Sequence, residues 1–549
     1  MKRFFISAPL VLGFFILGFK ISNPEGTLPS SPINTEELSS TASQFQDITA
    51  SAGIPVLHST TIAFGDYDND GWVDMLAGGK LFRNVSNRNN ILFSEVTELV
   101  GIRDMKGSPL FVDLDNNGLL DIMTTKGQVF LQVARGKFIE SSRELGFALP
   151  EHAHALAIVD TNKDGWIDVI AGFSEPKFGD PLLPQKMYTN VKGKRLVETT
   201  PVVFRVNPNY LRGIAVADYN NNGSIEAYFS NYRLRPNNLY TLGSPAMLDQ
   251  ATAMNIQGDH NPKKFYDQSR KAYYGPQYGH TIASIWADFD NDGNLDLWVS
   301  NLVHKFVGIN GKGTFDQRGY LCDDSKIYRN SGPPFYRLND VRPASGIPYR
   351  PIGDFSKYKG DELWAQTTSA DFDNDGLLDV YISQVYDLAY SYSLLYKNLG
   401  GFKFKDVSAG QGTRVFDSYA AAWADLNNDG KMDLVQSGRL RNGEAPAIRV
   451  LQNIMRDESN YLRVQLKGTR SGTQAVAAQV RVYHRNGVFL RQQDGVTGTM
   501  NQQNDPTLHF GLGQIKDITK VEVRWPSGKV QTLGPTAVNQ TLKIEEPRQ

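Results

Sequence analysis

The chain has 549 residues, enough for more than one domain or for one large repeat architecture with an appendage. Its 50 glycines, 11% aromatic residues and lack of a long charged tract exclude a disordered protein and indicate a turn-rich globular one. Basic residues (57) nearly balance acidic residues (58), so a net charge of −1 argues against a nucleic-acid partner. A single cysteine, Cys322, excludes disulfides within the chain.

The N-terminus carries a short basic start followed by an apolar run. Lys2 and Arg3 precede the apolar residues 4–19, a pattern typical of export signals. The run is short for a spanning helix, which needs about 20 residues, and no small-residue cleavage site follows it. Residues 1–21 are therefore predicted to be a signal peptide or a signal anchor, and residues 22–44 a flexible linker. The mature protein is expected to be secreted, periplasmic or on the cell surface, with no membrane contact other than such an anchor.

One nine-residue phrase, D-x-[DN]-x-[DN]-G-x-x-[DE], recurs seven times. Its glycine permits a sharp turn, so that side-chain oxygens at positions 1, 3, 5 and 9 and the carbonyl of position 7 converge. Such hard oxygen ligands in a flexible loop favour Ca²⁺ over transition metals. The predicted metal ligands of loops 1 to 7 are Asp66, Asp68, Asp70, Trp72 and Asp74; Asp113, Asp115, Asn117, Leu119 and Asp121; Asp160, Asn162, Asp164, Trp166 and Asp168; Asp218, Asn220, Asn222, Ser224 and Glu226; Asp288, Asp290, Asp292, Asn294 and Asp296; Asp371, Asp373, Asp375, Leu377 and Asp379; and Asp425, Asn427, Asp429, Lys431 and Asp433.

Two other interpretations of these loops compete with calcium sites of this kind. An EF-hand needs flanking helices and a glutamate at position 12, and no copy has that glutamate. Plain Asn/Asp/Gly turns remain an alternative for loop 4, which has two acids. Loops 1, 5 and 6 have four acids and loops 2, 3 and 7 have three, so calcium affinity is expected to fall in that order.

The segments between the loops repeat as well. Most loops are followed by a strand ending in an aromatic residue and an asparagine, as in residues 81–84, and then by a strand led by phenylalanine, as in residues 93–97. One strand, the loop and three further strands make one blade, so residues 45–455 predict an all-β fold, a seven-bladed β-propeller. The phenylalanine-led phrase also occurs at residues 45–49 but not after loop 7. The N-terminal strand is therefore predicted to complete the last blade and close the ring.

Three histidines, His58, His154 and His280, precede loops 1, 3 and 5 by six to eight residues. That spacing predicts positions near the start of the innermost strands, at the channel mouth away from the loops. They form either a cluster for metal binding or acid–base chemistry, or separate polar channel linings.

Two long inserts, residues 227–287 and 297–370, separate loops 4, 5 and 6. They are either binding surfaces or caps on the blades. Their aromatic and basic residues are Tyr273, Tyr274, Tyr278, His304, Lys305, Phe306, Tyr349, Arg350, Tyr358, Lys359 and Trp364.

The C-terminal segment, residues 456–549, alternates apolar and polar residues, as in residues 521–525, with a turn at 526–528. This pattern predicts a small antiparallel β-sandwich domain. His509, beside an aromatic residue, is predicted to be packed rather than catalytic.

The loops resemble FG-GAP/VCBS repeats, the blades of integrin α-subunit propellers. The C-terminal segment resembles the ASPIC/UnbV domain family (cartilage acidic protein-like) through residues 460–468, 509–513, 521–529 and 538–545. The resemblance implies an extracellular calcium-binding protein. One stretch departs from the family pattern, because residues 471–479 lack its arginines.

Two function classes follow from the sequence. The first is an exported binding or adhesion module for an unidentified extracellular glycan, matrix or protein partner. The second is a propeller enzyme, a lyase or hydrolase acting on polysaccharide. We expect no enzyme, because no nucleophile motif or paired carboxylates occur outside the loops. Six bound Ca²⁺ would add twelve positive charges to the net charge of −1, giving +11 and favouring a polyanionic partner.

Overall fold

A computed structural model describes residues 43–149, 153–174, 182–244, 246–259, 266–267, 272–273, 278–303, 323–349, 362–385, 392–440, 445–456, 458–498 and 501–548. The predicted signal segment, all of the linker except residues 43 and 44, and Cys322 lie outside these residues. The described helices are the short α1 (Ser142–Leu145), α2 (Val202–Val206) and a 3₁₀ turn (Arg342–Ala344). None of the helices in this part of the chain has the length and apolar character needed to cross a membrane.

Seven small antiparallel sheets follow one another along the chain, and pairing of residues 302–303 with residues 362–363 joins the fifth to the sixth. After β1 (Phe45–Asp47), sheet 1 contains β2 (Ile62–Gly65), β3 (Asp74–Ala77), β4 (Lys80–Asn84) and β5 (Phe93–Glu95). Sheet 2 contains β6 (Pro109–Val112), β7 (Asp121–Thr124), β8 (Val129–Ala134) and β9 (Lys137–Glu140). Sheet 3 contains β10 (Ala153–Val159), β11 (Asp168–Phe173), β12 (Lys186–Asn190) and β13 (Leu196–Glu198).

The remaining sheets of this series follow in chain order. Sheet 4 contains β14 (Leu211–Ala217), β15 (Glu226–Asn231) and β16 (Asn238–Thr241), and β17 (Tyr266–Asp267) pairs with β18 (Ala272–Tyr273) beyond it in the chain. Sheet 5 contains β19 (Thr281–Ala287), β20 (Asp296–Val303), β21 (Lys326–Asn330) and β22 (Leu338–Asp340). Sheet 6 contains β23 (Glu362–Ala370), β24 (Asp379–Gln384), β25 (Leu394–Asn398) and β26 (Phe404–Asp406). Sheet 7 contains β27 (Ala421–Ala424), β28 (Asp433–Gly438) and β29 (Ala447–Asn453), with β1 as its fourth strand.

Every nine-residue loop connects the first two strands of a sheet, so strands rather than EF-hand helices flank the loops. The predicted order of strands holds in six sheets. Sheet 4 differs, because its described residues provide three strands and one isolated bridge from Tyr240 to Asp249. Its sequence lacks the phenylalanine-led phrase that forms the fourth strand in sheets such as sheet 1, where Phe93 is buried.

The N-terminal strand completes sheet 7, as the sequence predicts. β1 pairs antiparallel with β29, and Phe45 lies opposite Asn453. Phe45 is buried, with its ring 5.9 Å from that of Phe372 and 6.0 Å from that of Trp423.

Deleting residues 1–54 should therefore expose the edge of β29 and an apolar surface, and cause aggregation. Deleting residues 1–40, which leaves β1 in place, should not. Light scattering of the two purified truncated proteins measures the difference, and equal aggregation of both would contradict the closing role of β1.

The contacts between neighbouring sheets form a closed series. β2 contacts both β6 and β27, and β14 contacts both β10 and β19. β23 contacts β19 and β27 in the same way. Residues of β6 and β10 share one hydrophobic core, which includes Val112 and Ala157. Each sheet thus neighbours the next in chain order, and the seventh neighbours the first.

Two further sheets form the C-terminal part. One contains β30 (Asn460–Lys467), β33 (Leu508–Gly513) and β36 (Gln540–Glu545), and the other contains β31 (Gln479–His484), β32 (Gly487–Gln492), β34 (Ile518–Arg524) and β35 (Val530–Leu533). They share a core that includes Val464, Val480 and Phe510. The pairing is not entirely antiparallel, because β30 and β36 run parallel. Ala42–Gln549 form one compact unit that contains this part and the seven sheets.

The connection between β32 and β33 runs along the first strands of all seven sheets. We call Gln492, the last residue of β32, together with the described residues 493–498 and 501–505 of this connection the plug segment. Its contacts with sheets 1 to 7 are, in order, Phe64 N–H to Gln503 O (3.1 Å), Phe111 N–H to Gln503 Oε1 (2.7 Å), Leu156 N–H to Asn501 Oδ1 (2.8 Å), Gln492 Nε2 to Val216 O (2.9 Å), a bridge of Ser284 with Gly498, Gln366 Nε2 to Thr497 O (3.1 Å), and Trp423 N–H to Asn504 Oδ1 (3.0 Å). The plug segment therefore occupies the space that the first strands surround.

Candidate metal centres

The position-1 aspartate organises the turn in all seven loops. In loop 1, Asp66 accepts hydrogen bonds from the N–H groups of Asp70 at 3.0 Å and Gly71 at 2.9 Å. The other six loops repeat this pair of bonds. Gly71 has φ of +88°, a left-handed conformation that explains the glycine at position 6.

The position-9 carboxylate joins the loop to the third strand. Asp74 accepts the N–H groups of Tyr67 at 3.0 Å and Asn84 at 2.8 Å. Five other loops have the same arrangement, whereas Glu226 of loop 4 accepts the hydroxyl of Thr241 at 3.2 Å. Burial raises the pKa of Asp74 to about 9, which reflects the cost of a buried carboxylate without a cation.

Position 3 carries a buried oxygen without a hydrogen bond in four of the seven loops. Asp68, Asp290, Asp373 and Asn427 each have a buried Oδ1 that accepts no hydrogen bond. A buried polar atom without a partner costs about 1–3 kcal/mol, and more when it is charged. These oxygens therefore fit a divalent cation that prefers oxygen ligands, and its positive charge would offset the buried carboxylates.

Four loops bring three carboxylates within 4.8 Å of one another. Positions 1, 3 and 9 converge in loops 2, 5 and 6, whereas positions 1, 3 and 5 converge in loop 1. The four groups are Asp113, Asp115 and Asp121; Asp288, Asp290 and Asp296; Asp371, Asp373 and Asp379; and Asp66, Asp68 and Asp70. Burial, followed by repulsion between neighbouring carboxylates, raises the pKa of Asp288 to about 8. The carboxylates of these loops would hold the cation.

Loops 3, 4 and 7 have asparagine at position 3, so no three acids converge there among the described residues. In loop 4 burial raises the pKa of Glu226 to about 8, and its Oε2 is buried without a hydrogen bond. The residue at position 7 is held by its N–H group, which donates to the side chain at position 5 in every loop, for example from Trp72 to Asp70 at 3.0 Å.

The side chain at position 4 links neighbouring loops, a role that the sequence analysis did not predict. Its side-chain amide donates to the glycine carbonyl of the next loop, as from Asn69 to Gly118 at 2.9 Å and from Asn428 to Gly71 at 3.1 Å. The other bonds of this kind are Asn116 to Gly165, Asn291 to Gly376 and Asn374 to Gly430. All five asparagines have φ between +52° and +56°, which asparagine tolerates better than most residues. The recurrence of asparagine at position 4 was the available signal.

The asparagine at the end of the third strand makes a similar link in the opposite direction. Asn84 donates through Nδ2 to Val73 O at 3.0 Å in its own loop and to Leu426 O at 2.9 Å in loop 7. The same pair of hydrogen bonds, one to the residue's own loop and one to the preceding loop, recurs at Gln132, Asn190, Asn330, Asn398 and Asn453. Neighbouring loops are therefore tied together directly.

The C-terminal sheets lie against the loops. Gln474 accepts the N–H of Asp113 at 2.8 Å in loop 2, and Gln479 donates to Asp218 O at 2.8 Å in loop 4. Both residues belong to the stretch that departs from the family pattern. In loop 7, His509 Nε2 lies 3.1 Å from Gly430 O, and His509 is buried, with its pKa lowered to about 3 mainly by burial. His509 is packed, as the sequence predicts.

The three other histidines do not share one environment. His154 Nδ1 lies 3.1 Å from Arg212 Nη1, and the guanidinium of Arg212 lies 4.8 Å from the ring centroid of Tyr232. The ring of Tyr232 is in turn 4.8 Å from that of His280. His58 instead contacts Pro446 O. His154 and His280 thus belong to one series of contacting side chains beside sheet 4.

Most of the aromatic and basic insert residues lie outside the described residues, namely Tyr274, His304, Lys305, Phe306, Arg350, Tyr358 and Lys359. Trp364 belongs to β23 and is 2% exposed, with its ring 5.9 Å from that of Trp298. It is therefore a core residue and not part of an exposed binding surface. Tyr349, by contrast, is 40% exposed.

Comparison with known proteins identifies two parts of the chain. A family model described as ASPIC and UnbV matches residues 468–549, and one described as FG-GAP-like repeat matches residues 359–435. Cartilage acidic protein 1 of Homo sapiens is 26% identical over 340 residues, which cover 61% of this chain and 36% of that protein. The Mus musculus protein is 25% identical over 340 residues, with 61% and 37% covered. The chain therefore spans about a third of the length of the curated relatives it matches.

Solved structures with similarity include the V. cholerae biofilm matrix protein Bap1, at 12% identity and a TM-score of 0.31, covering 73% of this chain and 88% of that one. The exotype rhamnogalacturonan lyase YesX has 12% identity and a TM-score of 0.29, with 88% and 73% covered. TM-scores this low carry no argument about function. The family matches do identify parts of the chain: it contains an ASPIC/UnbV domain and an FG-GAP-like repeat and is distantly similar to cartilage acidic protein 1.

Proposed function

We propose that the chain is an exported calcium-binding protein in which the seven sheets are the blades of a β-propeller. The observation that carries this proposal is the buried, unpartnered position-3 oxygen, which occurs beside other carboxylates in loops 1, 5 and 6. An oxygen-only ligand set with several carboxylates suits Ca²⁺. The closed order of sheet contacts, ending in the pairing of β1 with β29, supports the propeller.

We further propose that the protein binds an extracellular partner rather than catalyses a reaction. The plug segment fills the space between the first strands, which would otherwise be the largest concave site of a ring of sheets. The C-terminal sheets cover part of the loop end. Among the described residues, the opposite end, which contains the start of each first strand, is the surface that we propose for a partner.

The chain from His154 through Arg212 and Tyr232 to His280 lies at this opposite end. Arg212, Tyr232 and His154 are half-buried and suit an anionic glycan, whereas His280 is fully buried behind them. The imidazole of His154 is the observation that favours the alternative, an enzyme acting on polysaccharide. Substituting His154 by alanine separates the two, because catalysis would be lost completely whereas binding would weaken.

Calcium should make the protein a polyanion binder. Six bound Ca²⁺ change the net charge from −1 to +11, and a basic surface attracts polyanions through forces that salt screens. We expect retention on a heparin-like sulfated matrix at low salt with Ca²⁺, and elution in moderate salt. EDTA is the control, since it returns the charge to −1. Flow-through at low salt with Ca²⁺ present would contradict the polyanionic partner.

A further inference from the structure

Basic side chains on the third strands of sheets 1, 5 and 6 bind the loops of their own sheets. Arg83 on β4 contacts Asp68 Oδ2 through Nε at 2.7 Å and Asp70 Oδ2 through Nη2 at 2.9 Å. Equivalent contacts join Arg329 to Asp290 (2.7 Å) and Asp292 (3.2 Å), and Lys397 to Asp373 and Asp375 (3.0 Å for the latter). Each base therefore connects positions 3 and 5 of one loop.

These bases occur only where positions 3 and 5 are both aspartate. The other four loops have asparagine at one or both positions. At the strand position equivalent to Arg83, their sheets carry an uncharged residue. The four residues are Leu131, Thr189, Thr241 and Gln452.

Arg83, Arg329 and Lys397 reduce the net negative charge of loops 1, 5 and 6. Loops 1, 5 and 6 have four carboxylates, so each carries a net charge of −3 once its base is counted. Loops 2 and 3 have three carboxylates and reach the same −3 without such a contact, whereas in loop 7 Lys431 at position 7 lies 3.7 Å from Asp429. Arg463 contacts Asp425 of loop 7 at 3.2 Å, but it also binds Asp505 at 3.2 Å, so that pair adds no net charge.

The base and a cation use different oxygens of the same carboxylate. Arg83 binds Oδ2 of Asp68, while Oδ1 is buried and accepts no hydrogen bond. Asp290 and Asp373 divide their oxygens in the same way. A cation therefore does not have to displace the base in order to bind.

We propose that Arg83, Arg329 and Lys397 set the calcium affinity of loops 1, 5 and 6, lowering it to that of the three-carboxylate loops 2 and 3. The proposal rests on the calcium binding proposed above. Acid counts alone rank loops 1, 5 and 6 highest, and the bases remove that difference. Loops 1, 2, 3, 5 and 6 then fill over one narrow range of Ca²⁺ concentration, because ligand charge is a main determinant of affinity.

Loop 1 contains its own reporter for the test, because Trp72 stands at position 7. Tb³⁺ bound in the loop is excited through this tryptophan, and the signal lost in Trp72→Phe belongs to loop 1. Displacement of that signal by Ca²⁺ gives the affinity of loop 1. In Arg83→Gln we expect Ca²⁺ to bind on the order of tenfold more tightly. Arg83→Lys, which keeps the charge, should match the wild type.

Two controls complete the design. The double variant Arg83→Gln/Asp70→Asn restores the charge of −3 and should return to the wild-type affinity. Arg103→Gln, at an exposed arginine, should have no effect. Unchanged or weaker Ca²⁺ binding in Arg83→Gln would overturn the proposal. If the wild type itself shows no displacement of Tb³⁺ by Ca²⁺, the proposed calcium binding fails instead.

An independent variant adds a base where the chain has none. Thr189→Arg places a guanidinium beside Asp164 of loop 3, and Trp166 at position 7 is the reporter there. The expected result is Ca²⁺ binding on the order of tenfold weaker in loop 3 and unchanged in loop 1. Equal affinity of loop 3 with and without the added base would also overturn the proposal, even if Arg83→Gln does not fold.

Discussion

Removing Ca²⁺ with EDTA should lower the melting temperature by on the order of 10 °C. A ligand that binds only the folded state stabilises it by about 2.7 kcal/mol per site at a hundredfold excess over its dissociation constant. The stabilising contributions of several sites add, and each kcal/mol raises the melting temperature of a chain of this size by a few degrees or less. Thermal unfolding followed by circular dichroism, with and without EDTA, measures the shift. A melting curve that EDTA leaves unchanged would identify the loops as plain turns.

A single substitution separates metal binding from the fold of the loop. Asp115 is a position-3 residue whose group of carboxylates includes Asp113 and Asp121. The two bonds that organise the turn are accepted by Asp113, and the further bond from the Asn117 N–H to Asp115 Oδ1 at 3.2 Å is one that asparagine accepts at the same position of loop 3. Asp115→Asn should therefore destabilise the protein by about 2.7 kcal/mol in excess Ca²⁺ and little in EDTA. Asp104→Asn at an exposed site is the control, and calorimetry should count one Ca²⁺ fewer in Asp115→Asn alone.

The sequence was sufficient to predict the loops and the order of strands around them. The phrase beginning at Asp66 predicts a tight turn by itself, because the left-handed conformation at position 6 favours glycine and the acids at positions 1 and 9 recur. The closing strand was also predictable, because the phenylalanine-led phrase appears before loop 1 and is missing after loop 7. These are local patterns repeated seven times, and repetition makes a weak local signal specific.

Contacts between distant segments were not predictable in this way. The amide of Asn69 and the base of Arg83 occur in repeated phrases, but their partners lie in another loop or on another strand. The plug segment has no repeat at all. Its glutamines and asparagines resemble those of any polar loop, and only the fold brings Gln503 to β2 and β6. Sheet 4 has three strands among the described residues, because its sequence lacks the repeated phrase.

The plug segment satisfies backbone groups on the inner edges of the first strands. Gln503 pairs as a strand would with β2, since its N–H donates to Ile62 O at 3.1 Å and its carbonyl accepts the N–H of Phe64 at 3.1 Å. Its side chain pairs with β6 in the same manner, accepting the N–H of Phe111 at 2.7 Å and donating to Phe111 O at 2.9 Å. One buried residue therefore joins sheets 1 and 2 to the C-terminal sheets.

Gln503→Met should consequently destabilise the protein by about 2–6 kcal/mol. Methionine keeps the length of the side chain, so little cavity forms, but the N–H and C=O of Phe111 lose their partners at a buried site, and each unpaired group costs about 1–3 kcal/mol. Gln540→Met is the matched control, because the amide of Gln540 donates to Ala537 O at the surface. Urea unfolding in excess Ca²⁺ measures both variants. Equal stability of Gln503→Met and the wild type would mean that the plug segment rests in the ring without holding it together.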